Sequence, residues 1–463
     1  MSQKEILEYV KTHPAEKVKL AIADIDGVLR GKVMAKDKFL SVVEDGFGFC
    51  DVVFGWDMAD VCYENSKVTG WHTGYPDADA EIDLGTFRKV PWENDLPFFL
   101  ADFPSLDICP RNLLKKVKKQ AENAGFKPFF SQEFEWFNFK ETPWSLWKKD
   151  FENIRPLTPG MFGYSILRSS LPFFQKDNEE DSSKTFFNSL FDSLKSFDVP
   201  LEGLHTETGP GVYEAAILYS DILEAADRAV LFKTGVKEIA YRYKIVASFM
   251  AKWNADLPGC SGHVHQSLWN KNNNLFFDAS DEHNMSDVMK HYVAGQLHCL
   301  PHILPIYAPT INSYKRLVVG LWAPTTLTWG TDNRTVALRV LNSSSKAARL
   351  ETRVCGSDTN PYLAMAAALA SGLYGIKNKL ELQLSTTGNG YEEFKYGVLP
   401  KDLNEATQVM KNSEIANELL GQEFVDHFCR TREWEGQQFE KAGNKFDTKT
   451  ITKWELQRYF EII

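Results

Sequence analysis

The sequence predicts a mixed α and β protein in two parts. A small β-rich N-terminal part precedes a larger one, of α/β or α+β class, in which strands and helices alternate. Three observations predict it. Residues 18–34 alternate apolar and polar positions around Asp26-Gly27, the pattern of a β-hairpin. Residues 51–103 are rich in Gly, Asp, Trp and Pro, with short strand candidates such as 96–103. Beyond Pro110, longer strand and helix patterns take turns.

The elements follow in order. An opening helix ends near His13-Pro14, and the hairpin comes next. Residues 104–110 are a plausible boundary, which divides the chain into 1–108 and 109–463. Residues 111–125 form an amphipathic helix with Leu113, Leu114, Val117 and Ala121 on one face and Gly125 at its end. Residues 127–139 read as a strand. The acidic run 177–184 reads as a solvated loop or helix start. A long helix is expected over 220–244 and a strand over 246–253. Residues 361–380 form an apolar, Ala-rich helix, too short to span a bilayer and read as core.

Composition narrows the function classes. The 463 residues are 43% hydrophobic, enough for a large core. The net charge is -10 and no Lys/Arg run stands out, which argues against nucleic acid and anionic membranes as partners. The polar start has no signal-peptide apolar core. Seven widely spaced cysteines without a CxxC pair argue against zinc and disulfides and for a reducing, cytoplasmic setting.

Six side chains have metal-ligand character: Glu133, Glu135, Glu207, Glu214, His263 and Glu351. Glu133 and Glu135 stand two apart on an aromatic strand and share a face. Their charges repel unless a cation or Arg neutralises them. Glu207 and Glu214 flank Gly209-Pro210-Gly211, a turn able to bring both carboxylates back to one point. His263 and His265 follow a Gly-rich turn as a His-x-His pair. Arg349, Glu351 and Arg353 alternate, so they share one strand face, suited to holding anionic oxygens beside a metal ligand. Carboxylates with one imidazole favour Mg²⁺ or Mn²⁺, and the neighbouring Lys315, Arg316, Arg334, Arg339 and Lys346 suggest phosphoryl transfer. Neither a P-loop nor a protein-kinase motif set is present.

These segments resemble a known family. EFE (133–135), HTETGPGVYE (205–214), GHVHQSL (262–268), NSYKRL (312–317), NRTVALR (333–339) and RLETRVCGSDTNPYL (349–363) are similar, in order and spacing, to the signatures of type I glutamine synthetases and their γ-glutamyl–amine ligase relatives. The resemblance implies an α+β fold: an N-terminal β-grasp domain, and a catalytic domain with a barrel-like antiparallel sheet and outer helices. It implies one metal site at Glu135, Glu207 and Glu214, and another at Glu133, His263 and Glu351, with two or three Mg²⁺ or Mn²⁺ ions and ATP as co-substrate. Arg316, Arg353 and Gly259 match glutamate contacts. Arg334, Arg339, Lys346 and Arg349 match phosphate contacts, and His265, Ser267 and Tyr219 the nucleotide side. Arg334, Arg339 and Glu214 match residues that act in the chemistry. The family reaction makes γ-glutamyl phosphate, then an amide. A homo-oligomer is implied, a dodecamer of two hexameric rings with active sites between subunits.

Two departures bear on the second substrate. Glutamine synthetases carry a flap Glu where VVGLWAPTT (318–326) has Trp322, and a DGSS segment where FGWDMADV (54–61) offers only Asp57. Pro258-Gly259 replaces the family's Asn-Gly. An indole in place of a carboxylate removes an ammonium site and supplies an apolar, cation–π face. The leading expectation is therefore a ligase joining glutamate to a small organic amine. The alternatives are an ordinary glutamine synthetase using ammonia and an inactive structural protein like lengsin.

Overall fold

The computed structural model describes residues 1–161, 163–166 and 185–463; the acidic run 177–184 lies outside the described residues. The opening helix, Gln3–Thr12, is held by a capping box of Ser2 and Glu5 and buries Ile6 and Val10, one turn apart. It stops at His13 because Pro14 disfavours helical backbone before it. The hairpin pairs β1 (Lys17–Ala23) with β2 (Leu29–Ala35). Asp24 Oδ1 accepts the Asp26 and Val28 amides, both at 2.9 Å, and so fastens the turn.

With β3 (Phe47–Cys50), β4 (Asp77–Val90) and β5 (Leu96–Asp102) this hairpin makes a five-stranded sheet of order β2-β1-β5-β4-β3. Only β1 and β5 run parallel in it. Alternation gives the sheet two buried faces. Val18, Leu20, Ile22 and Phe99 join one cluster with Ile6, Val10 and Phe39; Ala21, Ala23, Phe98 and Leu100 join the large core of the rest of the chain. Buried Arg111, the second residue of the Pro110–Asn123 helix, bonds Asp83 (2.8 Å) and Asp102 (2.6 Å) of this sheet's strands and Asp227 (2.8 and 2.9 Å) of the Ile222–Arg242 helix.

The second sheet contains β6 (Lys127–Phe139), β7 (Leu201–Thr206), β8 (Val212–Ile217), β9 (Ser220–Asp221), β10 (Val246–Ser248), β11 (Gly262–Asn270), β12 (Asn273–Asn274), β13 (Trp329–Thr331), β14 (Leu338–Leu341) and β15 (Arg349–Thr352). Its main order is β13-β14-β15-β11-β6-β8-β7, and only the β13–β14 pair is parallel. The fold is α+β. Apolar helices Ile222–Arg242, Asp287–Tyr307 and Pro361–Asn378 cover one face. The last two cross so closely that a Cβ on Gly295 would lie 2.6 Å from the Gly375 Cα. Among the described residues no helix is long and apolar enough to cross a membrane.

The strand expected over 246–253 is shorter than that. β10 ends at Ser248, after which the Phe249 amide bonds the Ile463 carbonyl (3.0 Å) and the Lys252 amide bonds Asn312 Oδ1 (2.7 Å). The chain end and the 312–316 turn take up hydrogen bonds that a sheet would otherwise have used.

Candidate active site

Register assembles the site. β6 lies between β8 and β11. It sets Glu135 opposite Glu214 and Glu133 opposite His263; β7 sets His205 opposite Glu214. On the other side His265 faces Glu351, and Glu351 faces Arg339. Directly opposed residues of antiparallel strands share a face, so these side chains line one surface. The intervening Phe134, Trp136, Val264, Leu338 and Leu350 are buried on the other. The polar surface walls a cavity of about 730 Å³, to which Glu207, Gly259, Trp322, Arg334 and Arg353 also contribute. A second cavity of about 330 Å³ adjoins it through Glu133, His265 and Arg349, and contains Tyr219, Ser267 and Lys346.

His263 Nδ1 lies 3.3 Å from Glu351 Oε1 and 3.7 Å from Glu133 Oε1, and its buried Nε2 has no hydrogen-bond partner. Arg339 Nη1 donates to Glu351 Oε2 at 2.9 Å, and Arg353 pairs with Oε1. Glu135 Oε2 accepts the Ser261 amide at 2.7 Å. Burial, then Glu133 and Glu135, push Glu214 up to about 11. Burial and the charges of Glu207 and Glu133 take Glu135 to about 7, against the pull of Ser261 and Arg316. Glu133 goes the other way: the imidazoles of His263 and His265 close beside it outweigh its burial and hold it well below the carboxylate range. Burial and Arg353 lower His263 to about 4, so it is neutral near pH 7. Burial would raise Glu351, but the histidines, Arg353 and Arg339 hold it at about 2. With His263 neutral, the arginines carry the pull that persists at neutral pH.

A carboxylate group that forces a proton onto one member, beside an orphaned imidazole nitrogen, fits a divalent cation, which supplies the missing charge and takes the free lone pair. The donors, mostly carboxylate oxygen with some imidazole, suit Mg²⁺ or Mn²⁺.

The structure brings together all six expected metal ligands, and with them Gly259, Trp322, His265, Arg334, Arg339, Arg349 and Arg353. Arg316 is placed elsewhere. It is buried behind Gly259, its guanidinium donating to Val354 O (3.0 Å), Ser261 Oγ (3.0 Å) and Arg353 O (3.2 Å). A Cβ on Gly259 would stand 2.9 Å from Arg316 Cγ and 2.6 Å from Ala251 O, so only glycine fits over this arginine. Asp57 is engaged as well: Arg458 (2.8 Å) and Trp434 (2.9 Å) bond its Oδ2, and the Ala59 and Val61 amides its Oδ1.

Sequence reasoning missed His205, although its place two residues before Glu207 was a usable period-two signal. It also missed Tyr164, whose ring stacks on His205 with centroids 4.3 Å apart; nothing local marked that contact. Phe129 and Trp269 join Tyr219 in an aromatic edge of the second cavity, with ring centroids 6.0 and 5.9 Å from Phe129.

The family described as glutamine synthetase, catalytic domain, matches residues 107–459. The chain belongs to the glutamine synthetase family. It is 54% identical to the type-1 glutamine synthetase 2 of Dictyostelium discoideum, over 99% of this chain and 86% of that protein. It is 36% identical to the glutamate–isopropylamine ligase of a Pseudomonas species, over 100% of this chain and 99% of that one. A solved structure of GmaS in complex with ADP has a TM-score of 0.80 at 24% identity, covering 98% of both chains, a likeness of fold. The membership read from the motifs is thus the one the whole chain bears out.

Proposed function

We propose that this protein is an ATP-dependent ligase that joins glutamate, through its γ-carboxylate, to a small organic amine. One observation carries the choice of amine. All five carboxylates lining the main cavity belong to the metal-ligand cluster, and Pro258, Leu321 and an exposed Trp322 give the otherwise polar wall an apolar patch with no carboxylate of its own. Bare ammonium gains little from such a surface, whereas an alkylammonium gains hydrocarbon contact and a cation–π face. The 36%-identical relative is named for an alkylamine. Ammonia is the second reading, favoured by the name of the Dictyostelium relative.

The lining of the two cavities supports the following mechanism. Glu133, His263 and Glu351 would hold one divalent ion, and Glu135, Glu207 and Glu214 another. Such ions neutralise charge on a transferring phosphoryl group. Tyr219, Phe129, Trp269 and Ser267 form the nucleotide end; Arg334, Arg339, Lys346 and Arg349 hold phosphate oxygens; Arg353 and the Gly259 backbone receive glutamate. Arg316 acts from behind by setting the positions of Ser261 and Gly259. The γ-carboxylate oxygen attacks the terminal phosphorus and ADP leaves. The amine nitrogen then attacks the acyl carbon, phosphate departs, and the amine loses a proton. The reading further takes 1–108 as a β-grasp domain and 109–463 as the catalytic domain, in a cytoplasmic ring-forming homo-oligomer.

The test is ADP release with ATP, Mg²⁺ or Mn²⁺, glutamate and a panel of ammonia, methylamine, ethylamine, isopropylamine, ethanolamine and polyamines. An organic amine should surpass ammonia in kcat/KM; ammonia equalling every amine would sink the reading. Trp322→Glu should shift the ratio toward ammonia by about tenfold, since a cation–π contact is worth ~1 kcal/mol or more. Gly259→Ala should lower kcat/KM for glutamate by about 10²-fold, because the displaced 258–261 segment also carries the amide that holds Glu135. Kinetics within a factor of three of the parent would contradict it.

A further inference from the structure

We infer that His205 is itself a metal ligand, through Nε2, completing the centre at Glu207 and Glu214. The inference rests on the reading that this surface holds divalent ions. Among the described residues, His205, Glu207 and Glu214 form the one trio of potential ligands whose donor atoms all lie within 4.8 Å of one another. Glu135, assigned to this centre from the motifs, is not in that trio, and one of its oxygens already accepts the Ser261 amide.

The imidazole is oriented for the role. His205 Nδ1 lies 3.1 Å from the Thr206 carbonyl, which can only accept, so Nδ1 carries the hydrogen there. Nε2 then faces the cavity with its lone pair, 3.2 Å from Glu214 Oε1. Without an ion, a proton on Glu214 fills that gap; a divalent ion held by Glu207 and Glu214 would displace the proton and meet both donors. A backbone carbonyl on one imidazole nitrogen is the usual device that prepares the other for a metal. Tyr164 fixes the ring plane by stacking at 17°, and its own amide is tied to the Thr206 carbonyl at 2.7 Å. Each metal group then contains one imidazole, which moves preference from Mg²⁺ toward Mn²⁺.

The experiment is Mn²⁺ titration by calorimetry together with pulsed electron paramagnetic resonance of nitrogen couplings, in the full-length wild type, His205→Ala and His205→Asp. His205→Ala should weaken the tighter or weaker of the resolved Mn²⁺ sites by about tenfold or more and remove one imidazole nitrogen coupling. His205→Asp should recover binding without recovering that coupling. Unchanged Mn²⁺ affinity and nitrogen couplings in His205→Ala would overturn the inference. So would a change confined to KM for the amine, which would place His205 in the substrate pocket. Wild type that binds no Mn²⁺ would instead overturn the metal reading on which the inference stands.

Discussion

Glu351→Gln is expected to cut ATP-dependent ADP release by about 10²–10³-fold while the protein stays folded, the size of effect seen when one preorganised charge-stabilising group is lost. Glu351 is 1% exposed, and its two oxygens engage Arg339 and Arg353 beside His263. Glutamine keeps the shape and one acceptor oxygen. It removes the negative charge, so two arginines and any bound cation face each other uncompensated. The loss should therefore fall on metal affinity and on phosphoryl transfer together. Steady-state ADP release and Mn²⁺ titration on the same preparation check this; activity within threefold of wild type would show that Glu351 is not a ligand.

Arg111→Met is expected to cost about 3–5 kcal/mol of stability, the usual penalty for stripping one partner from a buried ion cluster. Arg111 and its partners Asp102 and Asp227 are all buried, and Met leaves both carboxylates without their main counter-charge. Lys115 still reaches Asp102 and Tyr362 still donates to Asp227, which keeps the loss short of complete unfolding. Because Arg111 also reaches Asp83 of β4, the five-stranded sheet should loosen from the second sheet first. Denaturant unfolding with Arg111→Met, Asp227→Asn and the double variant would measure the coupling. Additive effects of the two substitutions would remove the ion cluster from the account.

Much of the site was legible because strand alternation is local. Glu133 and Glu135 share a face whatever they pair with, as do Arg349, Glu351 and Arg353. The 127–139 strand, the hairpin and the Pro361–Asn378 helix were legible for the same reason. Where local pattern and tertiary demand part, reading the sequence fails. The helix Asp287–Tyr307 went unread, and it contains Pro301 and Pro305, which ordinarily argue against a helix interior. The 246–253 stretch has a strand's composition, yet its hydrogen bonds after Ser248 go to Asn312 and Ile463.

By itself the sequence determined which residue types stand on which face of each strand, and through its motifs the family. Only the tertiary structure decided which faces meet. Register across β7, β8, β6, β11, β15 and β14 set His205 beside Glu214 and Arg339 on Glu351. Packing turned Arg316 into a support behind Gly259 and left Asp57 gripped by Arg458 and Trp434. The physical reason is range: side-chain direction is set by neighbouring backbone dihedrals, whereas pairing, burial and the charge each group feels depend on partners up to hundreds of residues away.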